Sequence, residues 1–319
     1  LMSERSVWLE TALLAVLAAF LYQSALLVFV FLVPLAVLAK RHGSEMLGYG
    51  CVFAAGIIVV SRGLGLARAE AEWDLAILLL ELAPPAAFLA GMYLLETRRI
   101  VGMRRLYRLI QAVMIAGALS VPVIMVTSSS SIAMDVLRGQ LELLHRAFGG
   151  EGEGGSFGRF ATVDALMRAV FDMLLSTYLF AYSAVLAANW YLGQLIGARS
   201  GGSRAFRLRD YRVPEVFIWV LVAAALAALL GLAGNLGVFE HLSWNALFIV
   251  LFLYGGQGLG ILWSLLDQYT VPQGFRIGIG AILAVLLVVP GANFLVLFGL
   301  PGLGVAETWV HFRSGERSS

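Results

Sequence analysis

Apolar residues run almost unbroken through long stretches of this chain, and short polar linkers separate them. The stretches cover residues 7–39, 46–67, 75–95, 106–127, 163–196, 213–235, 242–266 and 277–303. A continuous apolar helix of about 20 residues crosses about 30 Å of hydrocarbon. The runs do not alternate polar and apolar positions, which excludes a transmembrane β-barrel. The expectation is an all-α, polytopic integral membrane bundle of eight or nine transmembrane segments with broken helices. The count turns on residues 7–39, too long for one ordinary span and short for two. The polar step Tyr22-Gln23-Ser24 would be a hairpin there, and Val289-Pro290-Gly291 predicts a break in the last run. The chain reads as one transmembrane domain, 1–319, with an extracytoplasmic insertion at 128–162.

Within that insertion, residues 132–148 are amphipathic. Leu137, Leu141, Leu144 and Phe148 share one face, with Asp135, Arg138 and Glu142 elsewhere. This predicts a helix on the outer membrane surface. A lid over a pocket and a docking surface for another subunit are alternatives. Residues 149–158 are a glycine-rich link. The next helix, 160–196, would be about 55 Å long, more than a bilayer needs. Asp164, Arg168 and Asp172 at its outer end have the spacing of a solvated helix extension. Asp172, nearest the membrane, is also a candidate cavity residue.

Composition agrees with a membrane solvent. Of 319 residues 60% are hydrophobic and 13% are charged, about half the charged share of soluble domains. Mean hydropathy is +0.88. Lys40 is the single lysine, and this arginine and alanine bias points to a GC-rich bacterial genome and its inner membrane. Basic residues fall in alternate linkers: Lys40 and Arg41, then 98–108, then 199–212. The linkers between hold Glu70, Glu72 and Asp74, or Glu151 and Glu153. The positive-inside rule puts the basic set in the cytoplasm and the acidic set outside. Arg313 and Arg317 favour a cytoplasmic C-terminus. No cleavable signal peptide is recognised. The lone Cys51 lies in an apolar run and reads as a small core residue. His42-Gly43-Ser44-Glu45 reads as a turn before a helix, with Ser44 as its N-cap.

One charge stands out. Glu81 lies inside the run 75–95, one turn before Pro84 and Pro85. A carboxylate at such depth costs about 2.5–3.5 kcal/mol on insertion scales, so it faces a partner or a water-filled cavity. The prolines predict a broken helix ladder beside it. Arg62 and Arg68 are the in-chain candidates for a clasp. Gln257, Asn235 and Asn245 are further intramembrane polar groups; interhelical hydrogen bonding is the plain explanation and ligand contact the alternative. Gly256 and Gly260, and Ala15 and Ala19, form small-xxx-small pairs suited to helix packing or a partner interface. No nucleophile, nucleotide-binding or metal-ligand motif is recognised, and the four histidines are scattered.

Three places carry a resemblance. Val33-Pro34-Leu35 is followed by Arg41-His42-Gly43. Asn189-Trp190-Tyr191-Leu192 precedes a basic linker with Phe206-Arg207-Leu208 and Val213-Pro214. Gln257-Gly258-Leu259 precedes Gly302-Leu303, Glu307, Trp309 and Phe312-Arg313. Over most of its length the chain resembles the YybS-like bacterial membrane proteins, a family of unknown function grouped distantly with the substrate-binding S components of energy-coupling-factor transporters. Glu307 stands where that pattern usually has Asp, and 128–162 has no counterpart in it. The resemblance implies a solute-binding membrane subunit; with no nucleophile or metal set recognised, no catalytic activity is expected. The expected partners are membrane lipids, another membrane subunit or a second copy of the chain, and a small-molecule solute. No nucleic acid, cofactor or metal is expected. The alternative is a structural or assembly subunit of a larger membrane complex, in which Glu81 pairs with an arginine.

Overall fold

The computed structural model describes residues 4–24, 26–68, 75–97, 105–147, 162–201, 206–234, 237–289, 291–310 and 312–313. All regular structure among them is helical. The chain packs as two compact units, Leu1–Ala205 and Phe206–Ser319.

The first unit holds α1 (Glu4–Gln23), α2 (Val33–His42), α3 (Ser44–Arg68), α4 (Leu75–Glu96), α5 (Arg105–Ser129), α6 (Ser131–Ala147) and α7 (Val163–Gly201). The second holds α8 (Phe217–Ala233), α9 (Val238–Gln268), α10 (Gln273–Val288) and α11 (Asn293–Ala306). Helices α1, α3, α4, α5, α7 and α9 are long and apolar enough to cross a membrane, and α8, α10 and α11 are shorter apolar helices. Among the described residues there are thus six long candidates, against the expected eight or nine segments. Large apolar side chains stay exposed around α8, among them Trp219, Leu226, Leu229 and Leu232. Soluble monomers rarely leave such continuous patches uncovered. The protein is a membrane-embedded, multi-pass helical protein.

The first apolar stretch is broken where its polar step predicts. After Gln23 the chain passes through a 3-10 turn, Val28–Val30, and enters α2 with Pro34 in the first turn, where a missing N–H costs nothing. The break leaves backbone groups without helical partners, and Asn189 of α7 takes them up. Its Nδ2 donates to Phe29 O at 2.7 Å, and its Oδ1 accepts from Leu32 N at 3.1 Å. Asn189 is fully buried. Alongside it, Gly193 and Gly197 bring α7 onto α2. A Cβ at Gly193 would lie 2.2 Å from the Cβ of Ala36, and one at Gly197 would lie 2.8 Å from that of Lys40. Helix α2 ends at Gly43, φ +89°, a value that favours glycine. Gly43 holds the cap position before α3, and Ser44 is already helical, against its reading as an N-cap.

Ala15 and Ala19 are fully buried against the chain's own helices, with α1 packed on α2 and α3. The face expected to meet a partner is therefore covered from within. Helix α6 forms where the amphipathic pattern predicts and packs on α5 and α7, with Arg138 paired to Asp164. Leu137 and Leu141 are half-buried; Leu144 and Phe148 lie outside the described side chains. The glycine-rich link 149–158 lies outside the described residues. The last run is interrupted as predicted: α10 ends at Val288 and α11 begins at Asn293, with Gly291 at φ +85° before it.

In the second unit α11 crosses α9 at glycine contacts. A Cβ at Gly258 would come within 2.0 Å of Leu300 O, and one at Gly304 within 2.1 Å of Tyr254 O. The expected pair behaves differently. Gly260 admits the backbone of the 206–211 segment, with Leu208 O 2.5 Å from its Cβ position, and Gly256 faces the Tyr211 ring. Arg209 binds Asp267 at 3.3 Å, and Arg313 donates to Arg209 O and Tyr211 O. Arg313 thus lies at the same end of this unit as the 206–212 segment.

Candidate functional site

The polar cluster of the first unit is built by three helices. Helix α1 ends in Tyr22 and Gln23, α3 carries Ser61 and Arg62, and α4 carries Glu81. Contrary to the expected break, α4 runs through Pro84 and Pro85 as one helix. Each proline still lacks a backbone N–H, so the carbonyls four residues earlier lose their helical donors. The Glu81 carbonyl is one of them, and the Tyr22 hydroxyl approaches it at 3.5 Å.

The side chain of Glu81 meets Arg62, with Oε2 3.8 Å from Nη1. That is contact, but longer than the roughly 2.7–2.9 Å of a charge-assisted hydrogen bond. The two side chains are 31% and 39% exposed, so the pair is open on one side. The guanidinium carbon lies 5.7 Å from the centre of the Tyr22 ring, within cation–π range. Arg62 Nε is buried and has no hydrogen-bond partner among the described residues. Beside the pair, Gln23 Nε2 donates to Ser61 Oγ at 3.0 Å, and Ser61 Oγ donates to Ile58 O at 2.9 Å. The Arg68 side chain, the other proposed clasp, lies outside the described residues. The cluster offers one carboxylate, one guanidinium with an idle donor and an aromatic face, all inside apolar helices. Such a set can hold a polar ligand or lock the helices to one another.

Of the other ligand candidates in the first unit, Asp172 does not join it. Glu81 and Asp172 belong to the first unit, and Gln257 and Asn245 belong to the second. Asp172 is exposed on α7, and no described contact links it to Glu81. Asn235 lies outside the described residues. Asn245 is buried, with Nδ2 donating to His241 O at 2.9 Å.

Gln257 is committed elsewhere. Its Oε1 accepts from Val213 N at 2.6 Å, and its Nε2 donates to Gly304 O and Glu307 Oε2, both at 3.0 Å. Arg313 completes the network, donating through Nε to Glu307 Oε1 at 2.6 Å and through Nη2 to Oε2. Gln257, Glu307 and Arg313 are all buried. An amide bonded at both ends ties the segment before α8 to α9 and α11, and leaves little for a solute. The role expected for Gln257 is therefore corrected to a structural one. A second carboxylate, unweighed in the sequence, is Glu96 at the end of α4. Trp190 Nε1 and Gln194 Nε2 of α7 donate to its Oε1 at 2.6 and 2.8 Å. The i, i+4 spacing of Trp190 and Gln194 was the available signal, since it places both on one helix face.

No family model matches the chain, and no curated protein or solved structure matches it either.

Proposed function

We propose that the protein is a solute-binding subunit of the bacterial inner membrane, without catalytic activity, and that it binds at the Arg62–Glu81 cluster. The observation that carries this reading is the incompleteness of the pair. It sits in apolar helices, contacts at 3.8 Å, stays open on one side and leaves Arg62 Nε without a partner among the described residues. Burial of charge is tolerated when the charged groups are well hydrogen-bonded, as in the Glu307–Arg313 network, where both carboxylate oxygens and all three guanidinium nitrogens are bonded. The cluster in the first unit departs from that pattern. Glu81 would take a cation or donor group of the solute, and Arg62 would take an acceptor. In this reading the 199–212 linker faces the cytoplasm and 128–162 faces outside, and the resemblance to YybS-like and S-component proteins supplies the class.

The rival reading is an assembly subunit in which Arg62 only clasps Glu81, and the ion pair itself favours it. A double-mutant cycle on thermal stability in detergent separates the two. The solute-binding reading predicts that Glu81→Gln and Arg62→Gln each leave the fold within about 1 kcal/mol of wild type, as for half-exposed pairs. Large single losses that vanish in the double mutant would make the pair a structural clasp.

A further inference from the structure

A groove of about 490 Å³ opens in the second unit between α9 and α10, lined by Trp263, Gln273, Arg276, Ile277 and Gly280. Arg276 is anchored at its wall. Nε donates to Val271 O at 2.7 Å, and Nη1 binds the Asp267 carboxylate. Nη2 enters no hydrogen bond among the described residues, and the side chain is 33% exposed. Asp267 also takes Arg209, and Arg209 reaches Asp210 at 3.6 Å. Neither carboxylate is among the lining residues, so the charged group at the wall is Arg276, which shares Asp267 with Arg209. Gln273 opens α10 directly after Pro272, which adds the positive end of a helix dipole. The remaining lining is apolar or aromatic. Tyr269, Phe275 and Ile277, close to Arg276 in the chain, are 77%, 72% and 66% exposed. A cation flanked by exposed aromatic and aliphatic side chains at the start of an apolar helix has the composition of a membrane interface.

We propose that this groove binds the phosphate of an anionic phospholipid headgroup. Arg276 Nη2 and the Gln273 amide donate to the phosphate oxygens, and Trp263 and Ile277 lie against the glycerol and upper acyl chain. A free phosphate shares the headgroup chemistry but gains nothing from the indole or the apolar wall. The proposal does not depend on the Arg62–Glu81 reading, which concerns the other unit.

The test is native mass spectrometry of the full chain released from detergent containing equal phosphatidylglycerol and phosphatidylcholine. Wild type should retain phosphatidylglycerol about fivefold over phosphatidylcholine, the scale of one basic residue at a membrane surface. Arg276→Gln should abolish the preference. Gly280→Leu gives the second variant, because a Cβ there meets only Trp263, at an ordinary 3.6 Å. The larger side chain fills the groove while the Arg276–Asp267 pair persists, so this variant decides the matter if Arg276→Gln does not fold. Equal retention of both lipids by wild type would overturn the proposal, as would an unchanged preference in Gly280→Leu. Inorganic phosphate that displaces the lipid from wild type and binds neither variant would assign the groove to a free anion and overturn the lipid source.

Discussion

Gly304→Ala should destabilise the second unit, whereas Gly302→Ala, two residues away on the same helix, should not. A Cβ at Gly304 would lie 2.1 Å from Tyr254 O, 2.9 Å from Tyr254 C and 3.2 Å from Gly258 N, all backbone atoms of α9. A carbon settles about 3.5 Å from its neighbours, so α11 must retreat by roughly 1 Å or more. Overpacking of this kind costs about 1–3 kcal/mol. Alanine recovers up to about 1 kcal/mol of helix propensity. The retreat also stretches the Gln257 bonds to Gly304 O and Glu307, which cross the same contact. The net expectation is a loss of about 2 kcal/mol. At Gly302 nothing lies within 4 Å of the Cβ position, so only the propensity term remains and the variant is neutral or slightly more stable. Both are read as Tm in mild detergent, from the monodisperse fraction surviving a heating series. A Gly304→Ala variant as stable as wild type, or an equal loss in Gly302→Ala, would refute the packing argument.

Asn189→Leu should cost about 1–3 kcal/mol by the same assay, because it strands the buried Leu32 N–H and removes the partner of the part-buried Phe29 O at the α1–α2 break. Arg313→Gln should cost about 3–5 kcal/mol, because it leaves the Glu307 carboxylate buried beside a neutral partner. Ala19→Leu should lower Tm by overpacking α1 on its neighbours, at a cost of about 1–3 kcal/mol. An unaffected Tm there would return that face to the surface.

Helix positions were largely legible in the pattern of apolar runs, because membrane helices must satisfy every backbone group internally. The breaks at 24–32 and 289–291 were legible from their polar or Pro-Gly steps. The continuity of α4 was not, since a helix can pass two prolines when neighbouring groups such as the Tyr22 hydroxyl approach the freed carbonyls. Glu81 and one of its two proposed arginine partners were legible because a charge in an apolar run is conspicuous. Gln257 was conspicuous as a polar amide in an apolar run, yet its commitment to Val213, Gly304 and Glu307 depends on tertiary pairing that spacing does not encode. The packing role of small residues was legible, but which pairs meet was not. Gly193 and Gly197 carry an unremarked small-xxx-small spacing that joins α7 to α2, while Ala15 and Ala19, marked for a partner, are covered from within.

The central claim, solute binding at Arg62–Glu81, is tested most directly by what the protein carries out of its membrane. Wild type and Glu81→Gln would be purified in parallel in mild detergent, and their extracted small molecules compared by mass spectrometry. The account predicts at least one polar solute enriched with wild type and lost from Glu81→Gln at equal yield of folded protein. Identical extracts from two equally stable proteins would contradict it.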